Sequence, residues 1–413
     1  MPADLNRAEM LLYPRIRKSP YFHAARKHGV AMYSVYNRMY VPRHYGDPVA
    51  EYWNLLTNVN LADVGVERAI EITGPDAFTF TNRMVTRDLS KCAVGQCKYT
   101  FITDESGGII NDPVLLRLGE NHFWLTLADS DGLLWAKGLA VNSGLDVTIS
   151  EPDMGPIQVQ GPKSLDVMVA LLGESIRDIA YYHLAEFTLD AMRVLVSRTG
   201  YTAELGYELY LVDASKHGSE LWERVVAAGL PWGLDVGGVC HIRRIEAGIL
   251  AYGADADLST NPYEVGLGYP WMVSLDKDGG FVGDEALRRI KDEGASRRLV
   301  GLTIDGARLG SYNDGSMLEP YPVLNGGDVI GYVTSACHSP RLDKNIGMVI
   351  LPNGDAAAGM THDVIVDSEI RRGVVTEMPF IDSKKETPRQ DSRIRPEATG
   401  SELPAAFDRE ASS

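Results

Sequence analysis

Two β-rich runs, residues 193–199 and 207–212, bracket a segment of glycine, aromatic and acidic residues at 200–206. This pattern constrains the chain most tightly, because it predicts an antiparallel hairpin with an unusually long tip. In the second run Tyr207, Leu209 and Leu211 share one face, while Glu208 and Tyr210 share the other. Glu208 is therefore expected as a carboxylate on a sheet face rather than at a loop apex.

Two helices are predicted downstream. Residues 219–228 carry Leu221, Trp222, Val225 and Val226 on one stripe and stop at Gly229-Leu-Pro231. Residues 239–250 carry Ile242, Ile245 and Ile249 as a core stripe, with Arg244 and Gly248 four apart on a shifted face. From 299 to 381, short β-like runs are divided by Asn325-Gly-Gly-Asp and Pro352-Asn-Gly-Asp, which suits a small all-β domain. Helices and strands are mixed without strict alternation, an α+β pattern. Hydrophobic density collapses after Ile381, so 382–413 is expected to be a disordered tail.

Composition narrows the function. At 413 residues and 45% hydrophobic, the chain can bury two or three cores and is too apolar for wholesale disorder. No uncharged apolar run reaches 18 residues, so no membrane span is expected. The start lacks a signal-peptide pattern, and Cys92, Cys97, Cys240 and Cys337 form no CxxC pair; a reducing cytoplasm is the expected location. A net charge of −16 disfavours nucleic acid as a main partner.

Familiar catalytic motifs are missing from the sequence. There is no GxxxxGK[ST], HExxH or GxSxG, and Gly266-Leu-Gly268 runs into Tyr-Pro-Trp. His23 and His28 lie five apart, poor spacing for one helical face, so no metal site is predicted. Three segments remain. Gly107-Gly-Ile-Ile-Asn-Asp112 puts an acid at a strand start, which is either turn chemistry or a buried carboxylate beside a reacting amine. The hairpin tip offers Tyr201, Glu204 and Glu208, with Glu204 in solvent on the plainer reading. Arg244-Ile-Glu-Ala-Gly248, read alone, is an exposed Arg/Glu pair of little energetic value.

Taken in order, these segments resemble the folate-dependent aminomethyltransferase (glycine cleavage T protein) family. The resemblance runs over about 13–381. It is carried also by Val41-Pro-Arg-His-Tyr45, Val159-Gln-Gly-Pro162, Arg198-Thr-Gly-Tyr-Thr202, Phe281-Val-Gly-Asp-Glu-Ala-Leu287 and Val333-Thr-Ser335. Within the family, Tyr33-Ser-Val-Tyr-Asn37, Asn111-Asp-Pro-Val114 and Ser335-Ala-Cys337 look like the dimethylsulfoniopropionate demethylase branch.

The resemblance implies a three-domain ring, a cloverleaf of two interleaved lobes over 1–295 and a β-barrel domain over 296–381, with tetrahydrofolate in the central channel. It implies that Asp112 is catalytic near folate N5, although Asn111 replaces half of the usual Asp-Asp pair. Glu208 would grip the pterin edge, and Tyr201 and Arg244 would be further folate contacts. Tyr33 and Tyr36 are candidate ring faces for an onium donor, and His338 stands where a tyrosine is usual. The implied reaction is methyl transfer from a small methylated donor to N5. The alternatives are O-demethylation of methoxyaromatic acids with Tyr201 or His338 as proton donor, glycine cleavage, and folate binding without catalysis. The hairpin tip, Gly200-Tyr-Thr-Ala-Glu-Leu-Gly206, is nearer to amino-acid-cleaving relatives. A second copy of the chain is the expected macromolecular partner.

Overall fold

The computed structural model describes residues 14–128, 131–317 and 319–390. Its largest sheet runs Leu184–Leu189, Met192–Ser197, Gly206–Val212, Met154–Gln160, Val59–Asp63 and Leu234–Val236 in spatial order. The first five strands are antiparallel and the last is parallel to its neighbour. A second, antiparallel sheet orders Thr148–Ser150, Ala69–Thr73, His122–Thr126, Val114–Gly119 and Cys97–Tyr99. The third body is a closed six-stranded barrel from Arg297–Ile304 to Glu369–Thr376. Among the described residues no helix is long and apolar enough to cross a membrane.

The hairpin forms in the expected register, with Val194 opposite Leu211 and Ser197 opposite Glu208. Tyr207, Leu209 and Leu211 enter one core with Leu221, Trp222 and Val225, so strand face and helix stripe bury each other. The long tip has a physical cause. Gln160 plugs its base, donating from Nε2 to the carbonyls of Thr199 (3.1 Å) and Tyr207 (3.3 Å) and accepting from Thr202 Oγ1 at 2.7 Å. A Cβ on Gly200 or Gly206 would come within 2.2 or 2.3 Å of that amide side chain, so both ends of the tip require glycine.

Four expectations change. The helix predicted at 219–228 spans Ala214–Gly229; after the buried Ala214 its first turn, Ser215-Lys-His217, is polar and carries no apolar stripe. The one predicted at 239–250 is only His241–Glu246, because Gly248 turns the backbone at φ +61° and redirects Ile249. All six of its residues are buried, so the Arg/Glu pair is not exposed. The chain also stays folded past Ile381. Asp382 accepts from the amides of Glu386 (2.8 Å) and Thr387 (2.9 Å), and Arg198 donates to the carbonyls of Pro388 and Gln390. Residues 391–413, the rest of the predicted tail, lie outside the described residues.

Candidate active site

The three bodies surround one cavity of about 1530 Å³, to which all contribute: Tyr99 and Asp112, then Thr199 and Tyr201, then Val375 and Thr376. Single small-ligand pockets run to roughly 1,000 Å³, so there is room for a cofactor and a second molecule.

Asp112 follows the short strand Ile109–Asn111 and lines the cavity. Tyr99 donates its phenolic proton to Asp112 Oδ2 at 2.9 Å. Burial pushes the Asp112 carboxyl up to about 7, and the Tyr99 bond partly opposes that rise. Asn111 is a latch: its amide donates to the Ala128 carbonyl (3.3 Å) and accepts from the Ala128 amide (3.1 Å). A carboxylate in its place could only accept.

Glu208 lies just behind the cavity wall, accepting from Thr199 Oγ1 and from Tyr210 Oη at 3.0 Å. Glu67, which lines the cavity, has a carboxyl with no hydrogen-bond partner among the described residues. Burial, then the charges of Glu208 and Asp112, drive Glu67 well above the carboxylate range. Burial also raises Glu208, against its two hydroxyl donors. With two hydroxyl donors against none, Glu208 is the better placed of the two to carry negative charge, and Glu67 the better placed to hold a proton.

Tyr201 lines the cavity with its hydroxyl proton given to the Leu250 carbonyl at 2.7 Å. Arg244 is completely buried behind the wall, donating to Asp255 Oδ2 at 2.5 Å and Ser335 Oγ at 2.6 Å. It thereby joins the helix His241–Glu246 to the barrel. Beside it Arg243 donates to Glu204 Oε1 at 2.7 Å, so Glu204 is engaged in a buried pair and not in solvent.

The three candidate donor contacts separate. Tyr36 lines the cavity. Tyr33 does not: its ring packs on Phe22 (5.2 Å) and Tyr40 (6.3 Å). His338 is also outside, on the barrel strand Asp328–Ser339 with Nδ1 3.3 Å from Asn345 Oδ1. Sequence reasoning passed over Glu67, Tyr99, Arg43 and His241, all of which line the cavity. It also missed a basic group at the wall made of Arg87, Lys98, Arg198, Lys385 and Arg389. An isolated acid or base in a loop carries no periodic signal, although Arg43 sits inside a family-like stretch.

The arrangement suits a flat, N–H-bearing heterocycle with an anionic tail. An ionised buried carboxylate accepts ring donors, and basic side chains in a protein of net charge −16 take carboxylates.

Known proteins share this architecture. Residues 21–277 match the GCVT N-terminal domain family, and 297–382 match the glycine cleavage T-protein C-terminal barrel domain. The dimethylsulfoniopropionate demethylase DmdA of Ruegeria pomeroyi is 33% identical over 88% of this chain and 97% of its own length. An aminomethyltransferase of Halothermothrix orenii is 31% identical over 89% of this chain and 100% of its own. The glycine cleavage system aminomethyltransferase T of Bartonella henselae has the same fold, with a TM-score of 0.78 at 22% identity over 89% of this chain and 99% of that one. The chain therefore belongs to the glycine cleavage T-protein (aminomethyltransferase) family, and is an enzyme of that tetrahydrofolate-dependent group.

Proposed function

We propose that this enzyme moves a methyl group from a small methylated donor, an onium compound of the dimethylsulfoniopropionate type, to N5 of tetrahydrofolate. The observation that carries the reading is Asp112, a cavity-lining carboxyl whose proton affinity lies near neutrality. Bound tetrahydrofolate supplies the nucleophilic secondary amine. Asp112 is poised to take the proton which that amine sheds, the role that best suits a group titrating near working pH. Glu208, with Glu67, would accept the pterin's N–H donors, and the basic side chains would hold its carboxylate tail.

An onium donor leaves as a neutral thioether or amine and needs no general acid. That agrees with Tyr201, whose hydroxyl proton is already committed to Leu250. Positioning and exclusion of water are then the main tasks, and Tyr36 offers a ring face to the cation. The relationship to the Ruegeria pomeroyi demethylase supports this choice of donor. The hairpin tip is nearer to amino-acid-cleaving relatives, but its Glu204 carboxylate is engaged by Arg243, a structural use that requires no amino-acid substrate.

The test is to incubate protein and tetrahydrofolate with dimethylsulfoniopropionate, glycine betaine or a methoxybenzoate, and to quantify 5-methyl-tetrahydrofolate by mass spectrometry. Product from an onium donor is expected. Product from the methoxybenzoate alone would replace the onium reading with O-demethylation, and no methylfolate from any donor would end the demethylase reading.

A further inference from the structure

Arg43 is a cavity residue that the reaction above leaves unused. It belongs to the ribbon of Met32–Tyr36 and Met39–His44, in which Met32 faces His44 and Tyr33 faces Pro42. Arg43 is thus the extra residue of a β-bulge, with no partner across the ribbon. Bulges re-aim side chains, and Arg43 lines the cavity together with Val41. Its backbone is clamped from two sides. Asn313 Nδ2 donates to the Arg43 carbonyl at 3.2 Å, and Gly238 packs so closely that a Cβ there would lie 1.8 Å from the same oxygen.

Among the described residues the guanidinium held by this backbone has no counter-ion. Its Nε is buried without a hydrogen-bond partner, and among the described residues no carboxylate pairs with it. Asp255, the acid of this region, is fully engaged: it accepts from Arg244, Thr334, Ser335 and the Ala251 amide. The groups in electrostatic reach of Arg43 are the phenols of Tyr36, Tyr201 and Tyr312 and the like charge of Arg244. His241 is no counter-ion either: burial and the two arginines hold its imidazole well below the usual range, which disfavours the cation and leaves no anion beside Arg43. A desolvated, unpaired guanidinium is costly, and its planar fork of donors matches a carboxylate.

We infer that Arg43 anchors a carboxylate on the methyl donor, so that the enzyme's donors are small zwitterions or acids with a methylated centre at one end and a carboxylate at the other. The inference rests on the demethylase reading and narrows it. The folate tail is the other source of carboxylate, but Arg87, Lys98, Arg198, Lys385 and Arg389 already form a basic group for it. Tyr201 is within reach of both the Arg244–Asp255 pair and the acids Asp112 and Glu67. A donor anchored at Arg43 therefore extends along Tyr201 toward the carboxylates that serve the acceptor amine.

Matched donors test this: dimethylsulfoniopropionate against its carboxamide, with wild type, Arg43→Met and Arg43→Lys, reading methylfolate formation. Wild type is expected to prefer the carboxylate. Arg43→Met should cut that preference about 100-fold or more, chiefly through KM, because the site is built to hydrogen-bond the missing group. Arg43→Lys should recover part of it, keeping the charge without the fork. Tetrahydrofolate affinity, measured by calorimetry, should change less than about 3-fold. An intact preference in both variants overturns the inference while leaving the demethylase reading standing. So does a tenfold loss of folate affinity with the preference kept, which would assign Arg43 to the folate tail. If wild type turns over no donor, the demethylase reading fails, and calorimetry of dimethylsulfoniopropionate on the folate-loaded protein judges Arg43 alone. Binding that is lost in Arg43→Met supports the anchor, and binding that is equal in both or absent in wild type overturns it.

Discussion

Tyr99 and Asp112 meet through a 2.9 Å hydrogen bond in which the phenol donates to the carboxyl Oδ2. The bond favours the charged acid, while the surrounding burial favours the neutral one; burial is the larger effect and the carboxyl ends near neutrality. The balance makes Asp112 a usable proton acceptor, and it can be shifted from either side.

Removing the phenol shifts it upward. Tyr99→Phe takes away a donor to the carboxylate, so the Asp112 midpoint should rise by roughly half a unit to one unit. The acidic limb of kcat/KM against pH, measured with the donor that turns over, should move up by that amount. An unchanged limb would remove Asp112 from proton transfer.

Removing the acid itself has two readouts. Asp112→Asn should lower turnover by about 10²–10⁴-fold with tetrahydrofolate affinity kept. It should also stabilise the protein at high pH. The folded carboxyl, raised from 3.8 to about 7, contributes stability that is full below about pH 4 and lost as pH rises through about 7. Between pH 5 and pH 8 the advantage of the variant should therefore grow by roughly 2–3 kcal/mol, as read from denaturant unfolding at both pH values. A pH-independent difference would mean that Asp112 is ionised throughout.

Glu208 should matter for folate binding more than for chemistry. Glu208→Gln keeps the shape, removes the charge and places an amide donor against Thr199 and Tyr210. Tetrahydrofolate affinity should fall by about 10- to 100-fold, the range of a charge-assisted hydrogen bond. Calorimetry with the purified protein checks this.

Two arginines separate buried from exposed ion pairs. Arg244→Met strands Asp255 in the interior and should cost about 3–5 kcal/mol in equilibrium unfolding. Arg193 makes a bidentate pair with Glu186, at 2.7 and 2.8 Å, but on the surface. Arg193→Ala should cost less than about 1 kcal/mol. Equal losses would refute the view that desolvation makes the Arg244 pair structural.

Sequence periodicity described the hairpin well, because alternation along 207–212 depends only on which strand face meets the core. It overextended the helix at His241–Glu246, where isoleucine spacing suggested four more residues and Gly248 turned the chain away. It also read Arg244 and Glu246 as surface charges. Nothing local distinguishes an exposed Arg/Glu pair from a buried one; the difference lies in Asp255, from the loop that follows, and in Ser335, Ser339 and Tyr52, which come from distant segments. Family resemblance pointed to Asp112, Tyr201 and Tyr36, which line the cavity, to Glu208 and Arg244, which are buried and absent from its lining, and to Tyr33 and His338, which also do not line it.

The sequence by itself determined the strand faces, the helix stripe at Leu221 and Trp222, the barrel-like C-terminal region and the kinship with a folate-dependent family, since short-range pattern and motif order suffice for these. Only the tertiary structure decided that Glu67 comes within electrostatic reach of Glu208, that Arg244 is neutralised by Asp255, and that Arg43 has no paired anion among the described residues. A side chain's charge state depends on what displaces water around it, and in this cavity the displacing groups come from all three bodies of the fold.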